Sequence, residues 1–254
     1  MSADASAPHA HDHDLEHKHT PEAIAKRLDA GPDQSYLRDW VFGGIDGAVT
    51  TFAVVTGVVG AQLSPRVILI LGCANLLADG FSMAAGNFSA TRSEREQFEH
   101  YKRVEQRHIR ETPEGEKEEL RQIYQRKGFV GVELERMVER IASDKDLWVR
   151  TMLTEEYGLP LEIRSPWSAA FTTMTAFVAC GLVPLLPWLL DFPAPVAWSV
   201  GLTGATFLVI GSLKGRWSVR HWIWTACETL AIGGGAAALS WVIGRLLRDV
   251  VPAM

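Results

Sequence analysis

Cysteine is scarce. The 254 residues contain three, Cys73, Cys180 and Cys227, and all three fall in apolar stretches, which excludes a disulfide-stapled scaffold. An excess of positive charge is also missing. The 25 Lys/Arg against 30 Asp/Glu leave a net charge of −5, which argues against a nucleic-acid partner. The first 35 residues hold no apolar core of the kind a cleavable signal peptide needs. No nucleophile–base pair and no nucleotide-binding motif stands out, so an enzyme is not the expected class.

What the chain does have is a sharp division of charge. Residues 40–64, 67–91, 167–190, 192–213 and 222–244 are long apolar windows without a single Lys or Arg. Their only acids are Asp46, Asp79 and Glu228. A helix needs about 20 mostly apolar residues to cross a bilayer, so each window is long enough. The stretch 92–165, by contrast, carries 17 Asp/Glu and 15 Lys/Arg. The expected fold is an all-α membrane protein: five transmembrane helices with a polar helical domain inserted after the second. Its boundaries are a tail over 1–35, spans 1–2 over 36–91, the insert over 92–165, spans 3–5 over 166–247 and a C-terminal tail over 248–254.

The tail is polar and holds His9, His11, His13, His17 and His19. Such a tract either binds metal weakly or is simply solvated. Thr20-Pro21-Glu22 offers an N-cap and a first-turn proline for a short helix ending at Gly31-Pro32. The first span carries Gly43, Gly44, Gly47, Gly57 and Gly60, so it is expected to pack against other helices rather than face lipid all round. After Thr91 the apolar pattern stops, but no Gly or Pro intervenes before Pro113, which predicts one helix leaving the membrane and continuing into water. Within the insert, further helices are expected from Pro113 to Gly128, over 130–142 with an apolar face of Val132, Met137, Val138 and Ile141, and over 144–157 with Asp144 as cap. The 214–220 link is basic and the 190–196 loop has no basic residue, which places the N-terminus, the insert and the 214–220 link in the cytoplasm; Arg245 and Arg248 run against this rule.

An ionisable group in hydrocarbon costs about 2.5–3.5 kcal/mol on insertion scales, so each needs a reason. Asp46, in Gly43-Gly44-Ile45-Asp46-Gly47, is expected to line a polar path. Asn75, Asp79, Ser82 and Met83 share one helical stripe, with Asn87 beyond it, and carboxylate, amide and thioether donors suit Fe²⁺ or Mn²⁺. Glu228 is either a proton or metal group or a carboxylate reaching His221 or Arg220. Thr172, Thr173 and Thr175 are expected to bond their own helix backbone. In the insert, Glu105 with His108, Glu116 with Glu119, and Met152 with Glu156 each share a helix face. Such sets bind first-row divalent ions, and by spacing alone they equally describe a solvated helix surface.

Taken together, Leu37-Arg38-Asp39 leading into Gly43–Gly47, then Phe81-Ser82-Met83-Ala84-Ala85-Gly86-Asn87 with Ser93-Glu94, and Leu182-Val183-Pro184-Leu185-Leu186-Pro187, resemble the vacuolar iron transporter family over about residues 36–247. The resemblance implies a homodimer that exports cytosolic Fe²⁺, often Mn²⁺ too, in exchange for protons, with divalent metal as substrate and no permanent cofactor. It implies that Asp46 and Met83 lie on the translocation path and that Glu105, Glu116, Glu119, Met152 and Glu156 form a cytoplasmic metal-binding site. Two departures stand out. Asn75 replaces a Glu common in the second span, with Asp79 one turn on as its expected compensation. His108 replaces a Glu in the cytoplasmic site. A bacterial chain of this kind would sit in the cytoplasmic membrane and a eukaryotic one in the vacuolar membrane. The alternative is a membrane-anchored metal-binding or sensing protein whose spans only anchor it.

Overall fold

The computed structural model describes residues 18–30, 35–160, 164–215 and 221–250. The His-rich stretch to His17, Arg216 and Arg220 of the basic link, and residues 251–254 of the C-terminal tail lie outside them. Every regular element among the described residues is helical. They fall into two units that meet between Ser35 and Tyr36. The first holds α1 (Pro21–Ala30), whose start is as expected: Pro21 opens the helix and Thr20 Oγ1 accepts the Ala23 N–H at 3.3 Å.

The second unit begins with α2 (Leu37–Gly60) and α3 (Pro65–Glu111). The insert follows as α4 (Pro113–Arg126), α5 (Gly131–Ala142) and α6 (Lys145–Glu155). The chain then runs through α7 (Pro166–Leu182), a 3₁₀ turn at Val183–Leu185, the short α8 (Leu186–Leu189), α9 (Pro195–Gly215) and α10 (Trp222–Val250). Five helical stretches are long and apolar enough to cross a membrane: Leu37–Gly60, Pro65–Glu111, Pro166–Leu189, Pro195–Gly215 and Trp222–Arg248. Their outward faces carry apolar side chains such as Ile70, Leu77, Phe81, Phe171, Val209 and Leu239, as lipid contact requires.

α2 is the hub, packed on α3, α7, α9 and α10, and its glycines are the reason. A Cβ on Gly47 would lie 2.2 Å from the Phe177 carbonyl oxygen, and one on Gly43 would lie 2.5 Å from that of Thr173, so α2 and α7 touch backbone to backbone. Gly60 does the same against Trp241 of α10, at 2.3 Å from its carbonyl oxygen. Small residues allow this approach, and dispersion across it holds membrane helices together where no hydrophobic drive exists between them. Ser240 Oγ adds a hydrogen bond to the Ala53 carbonyl at 2.5 Å. In the third span Pro184 and Pro187 interrupt the helix. Ser199 Oγ of α9 donates to the Pro184 carbonyl at 2.7 Å and accepts from Trp188 Nε1 at 3.0 Å, which satisfies part of the disturbed backbone.

The helix α3 is continuous through 47 residues. At about 1.5 Å per residue it is about 70 Å long, more than twice the hydrocarbon thickness. Its polar half packs with α4 and α6, and α5 packs on both of these. The insert has a core of its own, including Leu120, Leu134, Val138, Trp148, Met152 and Leu153, distinct from the two apolar clusters of the membrane helices. Val132 does not join it: its side chain is 69% exposed, and Leu134 takes the inward place. The buried series on α5 is Leu134, Val138 and Ile141, spaced i, i+4 and i+7. Val132 is two residues from Leu134, about 200° round the helix, and so faces away from the core. Asp144 caps α6 as expected, its Oδ1 accepting from Asp146 and Leu147 N–H. Gly128 ends the α4 segment at φ +97°, a conformation glycine adopts without strain.

Candidate metal sites in the membrane helices and the insert

Asp46 of α2 and Asp79 of α3 are half-buried on adjacent helices and lie within electrostatic reach of each other. Asn75 and Met83 are also half-buried, one turn to either side of Asp79, whereas Ser82 is exposed. The Nδ2 of Asn75 is buried with no hydrogen-bond partner among the described residues. The α3 stripe therefore reduces to Asn75, Asp79 and Met83, each four residues from the next.

Asn87 is held in a polar clasp. Its Nδ2 donates to Asp39 Oδ1 at 2.9 Å, to Thr173 Oγ1 at 2.7 Å and to the Ala169 carbonyl at 3.4 Å. Its Oδ1 accepts from Thr91 at 3.4 Å. Asp39 in turn takes Arg164 Nη1 at 2.8 Å on its other oxygen. This group joins the start of α2, α3, α7 and the segment by which the insert returns to the membrane. Asp39 was visible in the sequence only as the end of Leu37-Arg38-Asp39. Its partner lies 125 residues away, and no local spacing announces it. Thr173 and Thr175 bond their own helix carbonyls, as expected. Glu228 is half-exposed and pairs with Lys214 Nζ at 3.8 Å, rather than with His221.

In the insert, α3, α4 and α6 bring acids together. Glu105 is fully buried, and Tyr157 donates its hydroxyl to Glu105 Oε1 at 2.9 Å. Glu116 is nearly as buried, and His108 Nδ1 lies 3.4 Å from Glu116 Oε1 and 3.9 Å from Glu105 Oε1. The second oxygens of both carboxyls, Glu105 Oε2 and Glu116 Oε2, are buried with no hydrogen-bond partner among the described residues. Glu119 and Glu156 are exposed, near enough to add their charge. Met152 is enclosed in the insert's apolar core. Tyr157 escaped the sequence reading, because nothing in Glu-Glu-Tyr-Gly marks which neighbour a phenol will bond.

This crowding sets the protonation. Burial, then the charges of Glu105 and Glu119, the close approach of the Glu105 carboxyl and the charge of Glu156 push the Glu116 carboxyl up to about 8. Burial and the charges of Glu105 and Glu119 also raise Glu156, with Tyr157 and His108 pulling the other way. The Tyr157 phenol is raised by burial and by its bond to Glu105. Glu116 thus keeps its proton at neutral pH, and a divalent cation would displace it. Among the described residues no three His, Cys, Asp or Glu side chains stand ready as a metal cage. A cation here would use the buried pair and draw Glu119 and Glu156 inward from the rim. An open cleft lined by Arg107, His108, Glu111, Thr112, Glu116 and Glu119 leads to it.

The VIT family profile matches residues 37–245, which takes in all five apolar helices and the insert. The chain belongs to the VIT family. Among its relatives, a protein of Toxoplasma gondii named vacuolar iron transporter is 33% identical over 96% of this chain and 84% of its own length. Vacuolar iron transporter 1 of Oryza sativa subsp. japonica is 28% identical over 98% of this chain and 95% of its own. Vacuolar iron transporter 1 of Arabidopsis thaliana is 29% identical over 84% and 86%. With its apolar helices, this VIT-family chain is a multi-pass membrane protein.

Proposed function

We propose that this protein carries divalent metal, Fe²⁺ and also Mn²⁺, out of the cytoplasm across its membrane in exchange for protons, as a homodimer. The observation that carries the reading is the pair Asp46 and Asp79. Two carboxylates on adjacent membrane helices, within reach of each other, are costly unless they handle a cation or a proton. The names of the relatives agree with metal as cargo. Asn75, Met83 and Asn87 lie along the same helix, and Glu228 lies near the end of another. Glu105, His108, Glu116, Glu119, Met152 and Glu156 form a collecting site on the cytoplasmic side. There His108, in place of a carboxylate, removes one negative charge and adds a softer donor.

Flux into proteoliposomes, with and without an imposed pH gradient, tests the proposal. Asp46→Ala should fold but carry no Fe²⁺. Asp79→Asn should lose most transport, and Asn75→Glu in that background should restore part of it. Glu116→Ala with Glu119→Ala should slow transport without stopping it, since the membrane path stays intact. Metal binding by wild type with no flux under any gradient would turn the reading to a membrane-anchored sensor, which the insert's separate core would suit.

A further inference from the structure

Where α3 emerges from its apolar half, an open groove of about 420 Å³ lies between that helix and the start of α7. Its apolar wall is Phe88 against Trp167, ring centroids 4.7 Å apart, with Trp167 75% exposed. Its polar wall is Arg92, Arg95 and Arg103, with Glu96 and Glu99 between them. The position is the membrane–water border: Thr91 ends the second apolar window and Trp167 opens the third. An exposed Trp beside Phe at that depth suits the upper acyl chain and glycerol region of a lipid, where amphipathic rings collect. Arg92 and Arg95 stand within about one turn of Thr91 on the aqueous side, and Arg103 lies about two turns further along the same face. Arg92 is taken by Glu96 at 2.7 Å. Glu99 also lines the groove and receives Arg103 only through its backbone carbonyl, at 3.2 Å. Arg95 and Arg103 have no carboxylate oxygen within ion-pair distance among the described residues, although acids lie on the same helix. Guanidinium forks match phosphate oxygens, and two of them are free to do so here.

We propose that this groove binds the phosphate of an anionic phospholipid, with Arg95 and Arg103 on the phosphodiester and the Phe88–Trp167 pair against the glycerol and first methylenes. The lipid bridges α3 and α7 beside the clasp of Asp39, Asn87 and Arg164, and so steadies the insert on the membrane. The groove shares no side chain with the Asp46–Asp79 pair or the Glu105–Glu116 pair, so the inference stands apart from transport.

The test uses the full chain, purified in detergent and delipidated, with thermal melting and native mass spectrometry as readouts. Phosphatidylglycerol should raise the melting temperature and remain bound, and phosphatidylcholine should do much less. Arg95→Gln with Arg103→Gln should weaken phosphatidylglycerol retention about thirtyfold, from about fivefold per basic contact. The charge-matched Arg126→Gln with Arg136→Gln, on exposed insert positions outside the groove, should retain it. Equal effects of the two lipids, or retention that survives loss of Arg95 and Arg103, overturn the proposal. So does a shift reproduced by inorganic phosphate or glycerophosphoglycerol alone, which would make the occupant a soluble phosphate. If the double variant unfolds, Trp167→Ala, which removes only the apolar wall, takes its place with the same expectation.

Discussion

Glu116 shows how a residue's environment becomes a measurable property. Its carboxyl titrates near 8 in the folded insert against about 4.5 for a free side chain. Between those values the folded protein keeps a proton that the unfolded chain has released. Its contribution to stability is therefore full below about pH 4.5 and is lost as pH rises through 8. Metal-free protein should melt lower at pH 8 than at pH 5, Glu116→Gln should flatten that difference, and added Mn²⁺ should raise the melting temperature most at pH 8. A variant that melts with the wild-type pH dependence would show that another group titrates. At the clasp, Asp39 is buried while Arg164 keeps about a quarter of its side chain in water, so breaking the pair is expected to cost about 2 kcal/mol, below the figure for a fully enclosed one. Melting of Asp39→Asn, Arg164→Ala and the double variant checks this through a cycle. A coupling above about 1 kcal/mol is expected, and strict additivity would mean the two act independently. Residues of this kind were only half legible. The depth of Asp46 and Asp79 follows from their place in apolar windows. The partners of Asn87, Glu228 and Glu105 do not, because Asp39, Lys214 and Tyr157 reach them through tertiary packing.

At the level of elements, the glycines of α2 and the length of α3 were both legible, since small residues and an unbroken run of helix formers act locally. Their consequences can be separated by one substitution each. Gly47→Ala puts a Cβ 2.2 Å from the Phe177 carbonyl, a backbone atom that cannot step aside, so α2 and α7 must part. A loss of about 1–3 kcal/mol is expected, visible as a lower melting temperature in detergent. Gly201→Ala on α9, where a Cβ meets nothing within 4 Å, should be neutral or slightly stabilising. The same melting temperature for both would remove close α2–α7 packing as a source of stability. On α5, Val132 was read onto the buried face, yet its position puts it on the side of the helix opposite Leu134 and Ile141.

For the whole molecule, the basic links predict that the insert and the N-terminus face the cytoplasm. In sealed vesicles of known orientation, a protease cutting at the exposed α4–α5 link around Lys127 and Gly128 should reach it only from that side. Cleavage from the opposite face would invert the topology and, with it, the direction proposed for metal. The number of membrane helices, the place of the insert and the continuity of α3 were set by the sequence itself. They depend on the length of apolar runs and on local helix propensity, which each segment expresses without its neighbours. Tertiary structure alone decided which acid keeps its proton, which asparagine is tied into a clasp, and where arginines face an aromatic wall. Those depend on distances between segments up to 125 residues apart. Such distances follow only when glycine contacts and the insert's own core have fixed the helices of the second unit against one another.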